Sequence, residues 1–486
     1  MRKSFEVQLA LGAVPIEQVE IPTKTRDELP PTLAALQWIF TTPEVNKEVF
    51  ELLEREIISD RKATGRPGMD LWQILVLGVV RMTLDVNYDR LHYLSNYDSL
   101  TRQLLGQPAF DMTLEFKLST IKENIPLLSE ELLAEINAVV ARHGHNIIKK
   151  KEDEKLEIKI DSYVFETNVH FPTDLNLAWD CARKCITLIA RMAATHSLVG
   201  WRKHNDWLST IKGRYLYCSR ACRSGGKNKA DRVIKSANDY LGKLRQIEAK
   251  VESSLLDLGQ CPLSLLELAQ REEIKEFHHL LIKHITLIFR RLINGETIPA
   301  EDKLYSIFEQ HTEWISKGKS RPNVELGHRL LIATDQYSLI HDYKIMTGGD
   351  EAAEVIPLVE RLLEKYGEGS IASISSDKGF SKIANRAPLE KLIPLVVIPK
   401  KGKLSEKDKE RQSTKEWKAL ANKHSAIESN INCLEHHGLN RCPDKGYNAY
   451  RRYTGLGILA YNLHKIGNHI LDISRAAEKK ERRQPA

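Results

Sequence analysis

An acidic side chain interrupts a stretch of the sequence that otherwise predicts a β-strand. Ile158, Ile160 and Val164 give segment 156–174 a β-branched, largely alternating pattern, with Asp161 in its middle. Asp is depleted in strands, and burying an unpaired carboxylate is costly. Asp161 is tolerated if its strand opens onto a site where a cation neutralises it, or if the strand lies at a sheet edge with Asp161 in solvent.

Two further acids stand in comparable places. Segment 369–380 predicts a short strand that ends at Asp377 and is followed by a turn containing Gly379. Glu428 lies in a helical pattern further along the chain. Taken singly, Asp377 is explained as a turn residue and Glu428 as a solvated helix residue. Taken together, the three carboxylates form an oxygen donor set of the kind that Mg²⁺ prefers.

The order of these acids, two on strands and one on a helix, resembles the catalytic triad of the DDE transposases. These enzymes belong to the retroviral-integrase-like superfamily. The flanking segments 166–174, 376–380 and 427–441 resemble the motifs of bacterial insertion-sequence transposases of the ISNCY-like branch. The resemblance extends over residues 60–470 and depends on the order of the motifs, because each motif alone is weak.

The resemblance implies a function and a mechanism. Asp161, Asp377 and Glu428 would be the catalytic and metal-binding residues, holding two Mg²⁺ ions for which Mn²⁺ can substitute. Asp161 would contact both ions, Asp377 one and Glu428 the other. The protein would be an endonuclease and strand transferase acting on terminal inverted repeats and on double-stranded target DNA, as a homo-oligomer during synapsis. The alternatives are a catalytically inactive or domesticated DNA-binding relative, and a helical scaffold whose strand acids are coincidental.

The sequence departs from the related transposases around the third acid. A basic residue commonly follows the catalytic Glu by two helical turns, but Glu435 stands there in this chain, and His424 stands where an Arg is often found. Lys423 or Arg441 could supply the missing phosphate contact, and Glu435 remains an alternative third ligand. Further candidates for a supporting role are Asp174, Asp335 and His170.

Length and composition fit this interpretation without requiring it. A chain of 486 residues predicts two or three domains, and its formal charge of +7 suits a nucleic-acid partner. The seven cysteines are scattered and are expected to be free thiols. The early charges and the lack of a long apolar run predict a cytoplasmic, nucleoid-associated protein without a membrane partner.

The predicted fold class is α/β, with an RNase H-like mixed sheet interrupted by a long all-α insertion. We expect a helical N-terminal domain over 1–150, either helix-turn-helix-like or dimerising, and a catalytic core over 151–174 and 315–472. The helical insertion would span 175–314, and 473–486 would form a basic polar tail. A β-hairpin is predicted over 328–346, turning just after Thr334.

Cationic side chains in the N-terminal region, in the insertion and near Glu428 are the candidate DNA contacts. Within the insertion they are interleaved with aromatic residues, which suits phosphate binding and base stacking, although a solvated helix face explains the same pattern. The predicted DNA-binding residues are Arg90, Arg102, Arg202, Lys203, Lys212, Arg214, Arg220, Arg223, Lys227, Lys229, Lys423 and Arg441.

Overall fold

The computed structural model describes residues 3–5, 11–58, 68–109, 115–316 and 323–481. The end of the predicted basic tail, 482–486, lies outside the described residues. The chain divides into two compact units, the first made of Met1–Asn168 and Ile315–Ala486 and the second of Val169–Trp314. Within the described ranges, no helix combines the length and the apolar character that a membrane span needs.

A mixed sheet organises the first unit. Its strands are β1 (Leu156–Thr167), β2 (Glu313–Ser316), β3 (Val324–Thr334), β4 (Ile340–Met346), β5 (Ile371–Ser376), β6 (Leu395–Val397) and β7 (Arg441–Cys442). The main order is β4–β3–β1–β5–β6; β2 also pairs with β3, and β7 pairs with the carboxyl end of β1. Strand β1 runs antiparallel to β3 and parallel to β5, and β6 runs parallel to β5. The predicted α/β class is therefore confirmed.

Helices account for most of the remaining chain. Before β1 they are α1 (Leu29–Thr41), α2 (Pro43–Ile57), α3 (Leu71–Thr83), α4 (Tyr88–Tyr97), α5 (Ser99–Leu104), α6 (Leu118–Asn124) and α7 (Glu130–Ile148). The second unit contains α8 (Asp174–Ala193), α9 (His204–Arg223), α10 (Lys229–Gly259) and α11 (Leu265–Leu292). After β4 come α12 (Glu351–Tyr366), α13 (Ile383–Leu392), α14 (Glu406–Ser413), α15 (Lys415–His424), α16 (Ala426–Leu434) and α17 (Tyr447–Glu481).

The alternation of side chains along β1 buries both faces of the sheet. Ile158 and Ile160 lie in a core that they share with α12, whereas Tyr163 and Phe165 lie in the core formed by the N-terminal helices and α17. Successive residues of a strand point to opposite faces, so a strand in a sheet that helices cover on both sides needs apolar residues at both odd and even positions. Asp161 lies between these apolar residues and is half-buried.

Two local sequence signals explain where the first helices and the hairpin begin and end. The apolar pattern across residues 32–58 is divided between α1 and α2 because Pro43 lacks an N–H and restricts Thr42 to an extended conformation, with φ −93° and ψ 109°. The predicted hairpin is confirmed: β3 and β4 are antiparallel, and Thr334 pairs with Ile340 across the turn.

The second unit is a helical bundle with its own apolar core. Helix α10 packs against both α9 and α11, so the insertion predicted to be all-α is helical over most of its length. The prediction that the helical pattern continues to about Glu313 is wrong, because α11 ends at Leu292. Gly295 follows with φ 72°, and Pro299 lies shortly beyond, so these residues form the stop signal that the apolar periodicity obscures.

Gly467 provides a test of how closely α1 and α17 approach each other. A Cβ atom at this position would lie 1.7 Å from the carbonyl oxygen of Pro31, so the two backbones would have to separate. We expect Gly467→Ala to lower the free energy of unfolding by about 1–3 kcal/mol in urea titrations, as overpacking does. Lys479→Ala, an exposed change in the same helix, should stay within about 0.5 kcal/mol of the wild type. Equal effects of the two changes would contradict the close approach.

Candidate active site

Asp161 and Asp377 are brought together by the pairing of β1 with β5. These strands are parallel, and Ile160 lies opposite Ser376, so Asp161 is the next residue of β1 and Asp377 directly follows the end of β5. Neighbouring strands lie about 4.8 Å apart. Asp377 follows the last residue of β5 and caps a short 3₁₀ turn, where its Oδ1 accepts the Gly379 N–H at 2.7 Å. The register of the sheet therefore places Asp161 and Asp377 at neighbouring backbone positions.

The carboxyl group of Asp161 is held in an environment that disfavours its charge. Burial raises the pKa of Asp161 to about 6, although a 2.7 Å hydrogen bond from the Ser162 N–H to Oδ1 opposes this shift. The negative charges of Asp377, Glu351 and Glu428 contribute to the same upward shift of this pKa. Mutual repulsion of this kind marks a site that a cation would stabilise.

Glu428, in the first turn of α16, also acts on Asp161, and we call Asp161, Asp377, Glu428 and Glu351 the acid cluster. The preceding Ile427 is fully buried in the core of the first unit, whereas Glu428 itself is exposed. Burying Ile427 fixes the rotation of α16, and the adjacent carboxylate is left in solvent close enough to act electrostatically on Asp161. The three acids that the sequence singled out are thus linked electrostatically, with Asp377 and Glu428 both acting on Asp161.

A fourth acid, Glu351, was not predicted from the sequence. It is the first residue of α12, directly after the helix cap Asp350. Its Oε1 accepts a short hydrogen bond from the Ser162 hydroxyl and lies 3.5 Å from Nε of Arg329. The cap could be read from the sequence, but the approach of α12 to β1 could not, because it depends on the tertiary packing.

His424 is a basic side chain that interacts electrostatically with two acids of this cluster, Asp377 and Glu428. Its Nδ1 lies 3.3 Å from the Ser375 hydroxyl, and burial lowers the pKa of His424, so the imidazole is neutral at pH 7. The charges of Asp377 and Glu428 act on it in the opposite sense and do not overcome burial. A neutral His424 adds no positive charge to the acid cluster.

A second cluster of potential metal ligands lies in the core of the same unit. It consists of His145, Asp335 and His341, which each contribute one potential ligand atom, and these three atoms lie within 4.8 Å of one another. Among the described residues, this is the only group of three or more His, Cys, Asp or Glu side chains that meets this distance. The three acids predicted from the sequence therefore do not converge as closely on a single point. Two imidazoles and a carboxylate are donors that zinc uses.

Hydrogen bonds already join the atoms of this second cluster. Asp335 Oδ2 accepts from His145 Nδ1 at 2.9 Å and from His341 Nε2 at 3.0 Å, and Oδ1 accepts the N–H groups of Tyr337 and Leu339. Burial alone would raise the pKa of Asp335, but these hydrogen bonds hold that pKa well below its usual range. The network ties α7 to the β3–β4 turn, and the supporting role predicted for Asp335 stays a prediction.

The structure corrects the prediction that Arg102 contacts DNA. Its side chain is fully buried, and its guanidinium donates to the carbonyl oxygens of Pro108 at 2.9 Å and Asn96 at 3.0 Å. A group committed to these carbonyls inside the core is not available to a phosphate. Arg90, by contrast, is exposed on α4 and lies over the ring of Tyr93, with its Cζ 4.7 Å from the centroid.

Most of the predicted cations of the helical unit are exposed. Three of them lie on the same side of α9: Lys212, Arg220 and Arg223. Each residue of an α-helix is rotated by about 100° from the one before it, and their spacings of 8 and 3 residues bring their side chains back to one face. Arg214 is half-buried and is paired with Asp239. The exposed members of the predicted set in this unit are Arg202, Lys203, Lys212, Arg220, Arg223, Lys227 and Lys229.

The two cations proposed to replace the missing basic residue are both in ion pairs. Lys423 Nζ lies 3.1 Å from Glu157, and Arg441 donates to Glu166 Oε2 at 2.6 and 3.1 Å. Exposed pairs of this type are weak, so a DNA phosphate could compete for either cation. Two other candidates for supporting roles are paired within the second unit, Asp174 with Arg291 and His170 with Asp180.

Glu435 is less suited than Glu428 to be the third ligand. It begins an irregular turn, Glu435–Leu439, in which Gly438 adopts φ 88°. Its charge acts on Tyr163, whose pKa is raised mainly by burial, and it is not among the acids that shift the pKa of Asp161. After the kink that follows α16, Glu435 therefore acts on Tyr163, whereas Glu428 acts on Asp161.

Comparison with protein-family models, with curated proteins and with solved structures found no match to this chain. A function must therefore be inferred from its own residues and their geometry.

Removing the charge of Asp161 should stabilise the metal-free protein. The pKa of Asp161, about 6 when folded, lies above its unfolded value of about 3.9, so above pH 6 the ionised group destabilises the fold. We expect Asp161→Asn to add roughly 1–2 kcal/mol to the free energy of unfolding at pH 7.5 in EDTA. The gain should shrink as the pH falls through 6 and vanish below pH 4, where Asp161 is protonated in both states.

Urea titrations at pH 7.5 and pH 4 measure this effect. Glu410→Gln, which removes an exposed carboxylate of the same unit, is the control and should change stability at neither pH. An Asp161→Asn protein that is less stable than the wild type at pH 7.5 would contradict the repulsion inferred for this site.

Proposed function

We propose that this protein is a DDE-type transposase that cleaves DNA at the terminal inverted repeats of an insertion sequence and joins the ends to target DNA. The observation that carries the proposal is the placement of Asp377 directly after β5, next to Asp161 on the parallel strand β1, with Glu428 acting on Asp161 from α16. A helical scaffold with coincidental acids would not require these three side chains to meet.

The strand order supports an RNase H-like catalytic core. In such a fold a central strand carries the first acid, with an antiparallel pair on one side and parallel strands on the other. The order β4–β3–β1–β5–β6, with β1, β5 and β6 parallel, has this arrangement. The helical unit Val169–Trp314 is inserted between β1 and the strands that pair with it, which agrees with an interrupted core.

The acid cluster fits divalent metal ions. Its donors are carboxylate oxygens, the ligands that Mg²⁺ and Mn²⁺ favour, and the repulsion that raises the pKa of Asp161 would be relieved by a cation. Asp161 would hold both ions, Asp377 one and Glu428 the other, so the three acids need not converge on one point. When bound, the metal ions supply charge stabilisation at the attacking and leaving oxygens of the phosphodiester.

The residues of the chain itself would position the nucleic acid and the ligands. The Ser162 N–H orients Asp161, and the Gly379 N–H orients Asp377, each through one carboxylate oxygen. The exposed cations of α9 and its flanks would bind phosphates along double-stranded DNA. Synapsis of two ends implies a homo-oligomer, which remains part of the proposal.

Metal-dependent nicking is the decisive test. Duplexes carrying the DNA that flanks the coding sequence are incubated with the protein, with Mg²⁺, with Mn²⁺ or with EDTA. We expect nicking only with metal, and Asp161→Ala, Asp377→Asn and Glu428→Gln should each lower the rate by about 100-fold or more, because direct ligands matter at least as much as the groups that orient them. Glu435→Gln, which removes a nearby acid outside the cluster, should retain activity.

The outcomes separate the alternatives. Nicking that persists in the Asp161→Ala protein would overturn the proposal. Binding without nicking in all forms would favour a catalytically inactive DNA-binding relative. If the protein neither binds nor nicks DNA, the helical scaffold is the remaining alternative.

The contribution of the helical unit to DNA binding can be measured from the salt dependence of affinity. We expect Lys227→Ala with Lys229→Ala to weaken binding to any duplex and to reduce the slope of log K against log salt by about 0.9 for each phosphate that the protein no longer neutralises. Lys275→Ala is the control, since its ammonium already pairs with Glu272 at 2.8 Å. Equal slopes for the double variant and the wild type would show that Lys227 and Lys229 do not contact DNA.

A further inference from the structure

The second cluster, made of His145, Asp335 and His341, joins three separate elements of the first unit. His145 lies in the last turn of α7, Asp335 directly follows β3, and His341 lies in β4. Asp335 and His341 are 0% exposed, and His145 is 7% exposed. The cluster is therefore closed to bulk solvent, and it contains none of the residues assigned to the acid cluster.

The carboxylate of Asp335 is buried without a lysine or arginine beside it. Within the described part of the chain, the basic nitrogens within 4 Å of its oxygens belong to His145 and His341. Lys159 donates to the backbone carbonyl oxygen of Asp335 instead, at 2.8 Å. Burying a carboxylate charge is costly unless a positive charge compensates it. Two partners can do so at this place: a proton on an imidazole, or a metal ion held between the rings.

The spacing of the three donor atoms is close to that of ligands around one ion. Asp335 Oδ2 lies 2.9 Å from His145 Nδ1 and 3.0 Å from His341 Nε2. Two ligands that are each about 2.0–2.1 Å from a tetrahedral zinc ion lie about 3.3 Å apart. Lengthening these two contacts by about 0.3–0.4 Å would therefore bring them to the spacing that zinc requires.

Hydrogen bonds hold the atoms of Asp335 and His341 that would not contact the ion. Asp335 Oδ1 accepts the N–H groups of Tyr337 at 2.8 Å and Leu339 at 2.9 Å. His341 Nδ1 lies 2.7 Å from the hydroxyl oxygen of Tyr366, which can accept the Nδ1–H when Nε2 binds an ion. Metal ligands in proteins are usually oriented by partners of this kind, so the surroundings of the second cluster suit an ion.

His145 can offer a lone pair to an ion without losing a second hydrogen bond. Its Nε2 is buried and has no hydrogen-bond partner within the described part of the chain, so no contact there fixes the tautomer. Its ring packs edge-on against the rings of Tyr337 and His341, with centroids 5.6 and 6.1 Å away. This packing sets the orientation of the ring, with Nδ1 directed at Asp335.

From this convergence we propose that the second cluster binds one zinc ion. Its ligands are His145 Nδ1, Asp335 Oδ2 and His341 Nε2, and a water molecule completes the tetrahedron. Two imidazoles and one carboxylate suit zinc better than Mg²⁺, which prefers oxygen ligands alone. The ion fastens α7, β4 and the turn after β3 to one another. The proposal does not rest on the transposase activity, because the acid cluster and the second cluster share no residue.

The zinc content and the thermal stability of the tag-free full chain test this site. Because the ligands are buried, the ion exchanges when the fold opens, so the protein is unfolded in urea with EDTA and refolded with Zn²⁺ or with EDTA. We expect one tightly held zinc per chain after desalting, and a thermal midpoint about 3 °C or more above that of the EDTA-refolded protein. Zinc measured in the protein as purified gives a second reading that needs no refolding. The Asp161→Asn protein should hold the same zinc, which separates this site from the acid cluster.

Variants separate a ligand from a residue that only supports the fold. His145→Gln and His341→Gln should each lower the zinc content at least 10-fold and remove the difference between the two refolded midpoints, whatever each change does to the midpoint itself. His143→Gln is the matched control, since His143 lies on the same helix and pairs with Glu48 at 3.0 Å. It should keep both the zinc and the difference.

Circular dichroism must first show that each variant is folded. If His341→Gln is not folded, the less buried His145→Gln carries the test. If neither is folded, the wild-type measurements decide. The proposal is overturned if the wild-type protein retains no zinc and melts at the same temperature after both refolding treatments, or if His145→Gln retains as much zinc as the wild type.

Discussion

The pairing of β1 with β5 imposes the constraint on which the candidate active site depends. It places Asp161 beside Asp377 in the register of a sheet buried on both faces, where the carboxylates repel each other. The repulsion is tolerated because the apolar residues on either side of Asp161 fix the strand far more strongly than one acid can displace it. If the acid cluster is the proposed metal site, it would be preorganised for cations at some cost to the stability of the metal-free fold.

Local patterns in the sequence carry much of this fold. The strand around Asp161, the β3–β4 hairpin and the long helices of the second unit follow from period-two and period-3.6 apolar spacing, which survives in a single sequence. The three acids could be selected because each sits at a recognisable place in such an element. The flanking segments then suggested a common role that no element indicates alone.

What could not be predicted depends on contacts between distant segments. Glu351 reads as an ordinary first-turn acid, and only the packing of α12 against β1 brings it to Ser162. Arg102 reads as a surface cation of a short helix, but the carbonyls of Asn96 and Pro108 enclose it. His284 lies on the apolar face of α11 and gives no sign in the sequence that its nitrogens are unpaired. Exposure and pairing of polar groups are tertiary properties, and residue type alone does not fix them.

The interrupted connection of the sheet has a consequence for how the chain is made. Strand β1 emerges from the ribosome long before β3 and β5, since Ile160 pairs with Ala333 and Ser376. The helices between them have mostly local contacts and can form while β1 still waits for its partners. During that interval β1 has two unpaired edges, and an unpaired strand edge is a site at which a nascent chain can aggregate.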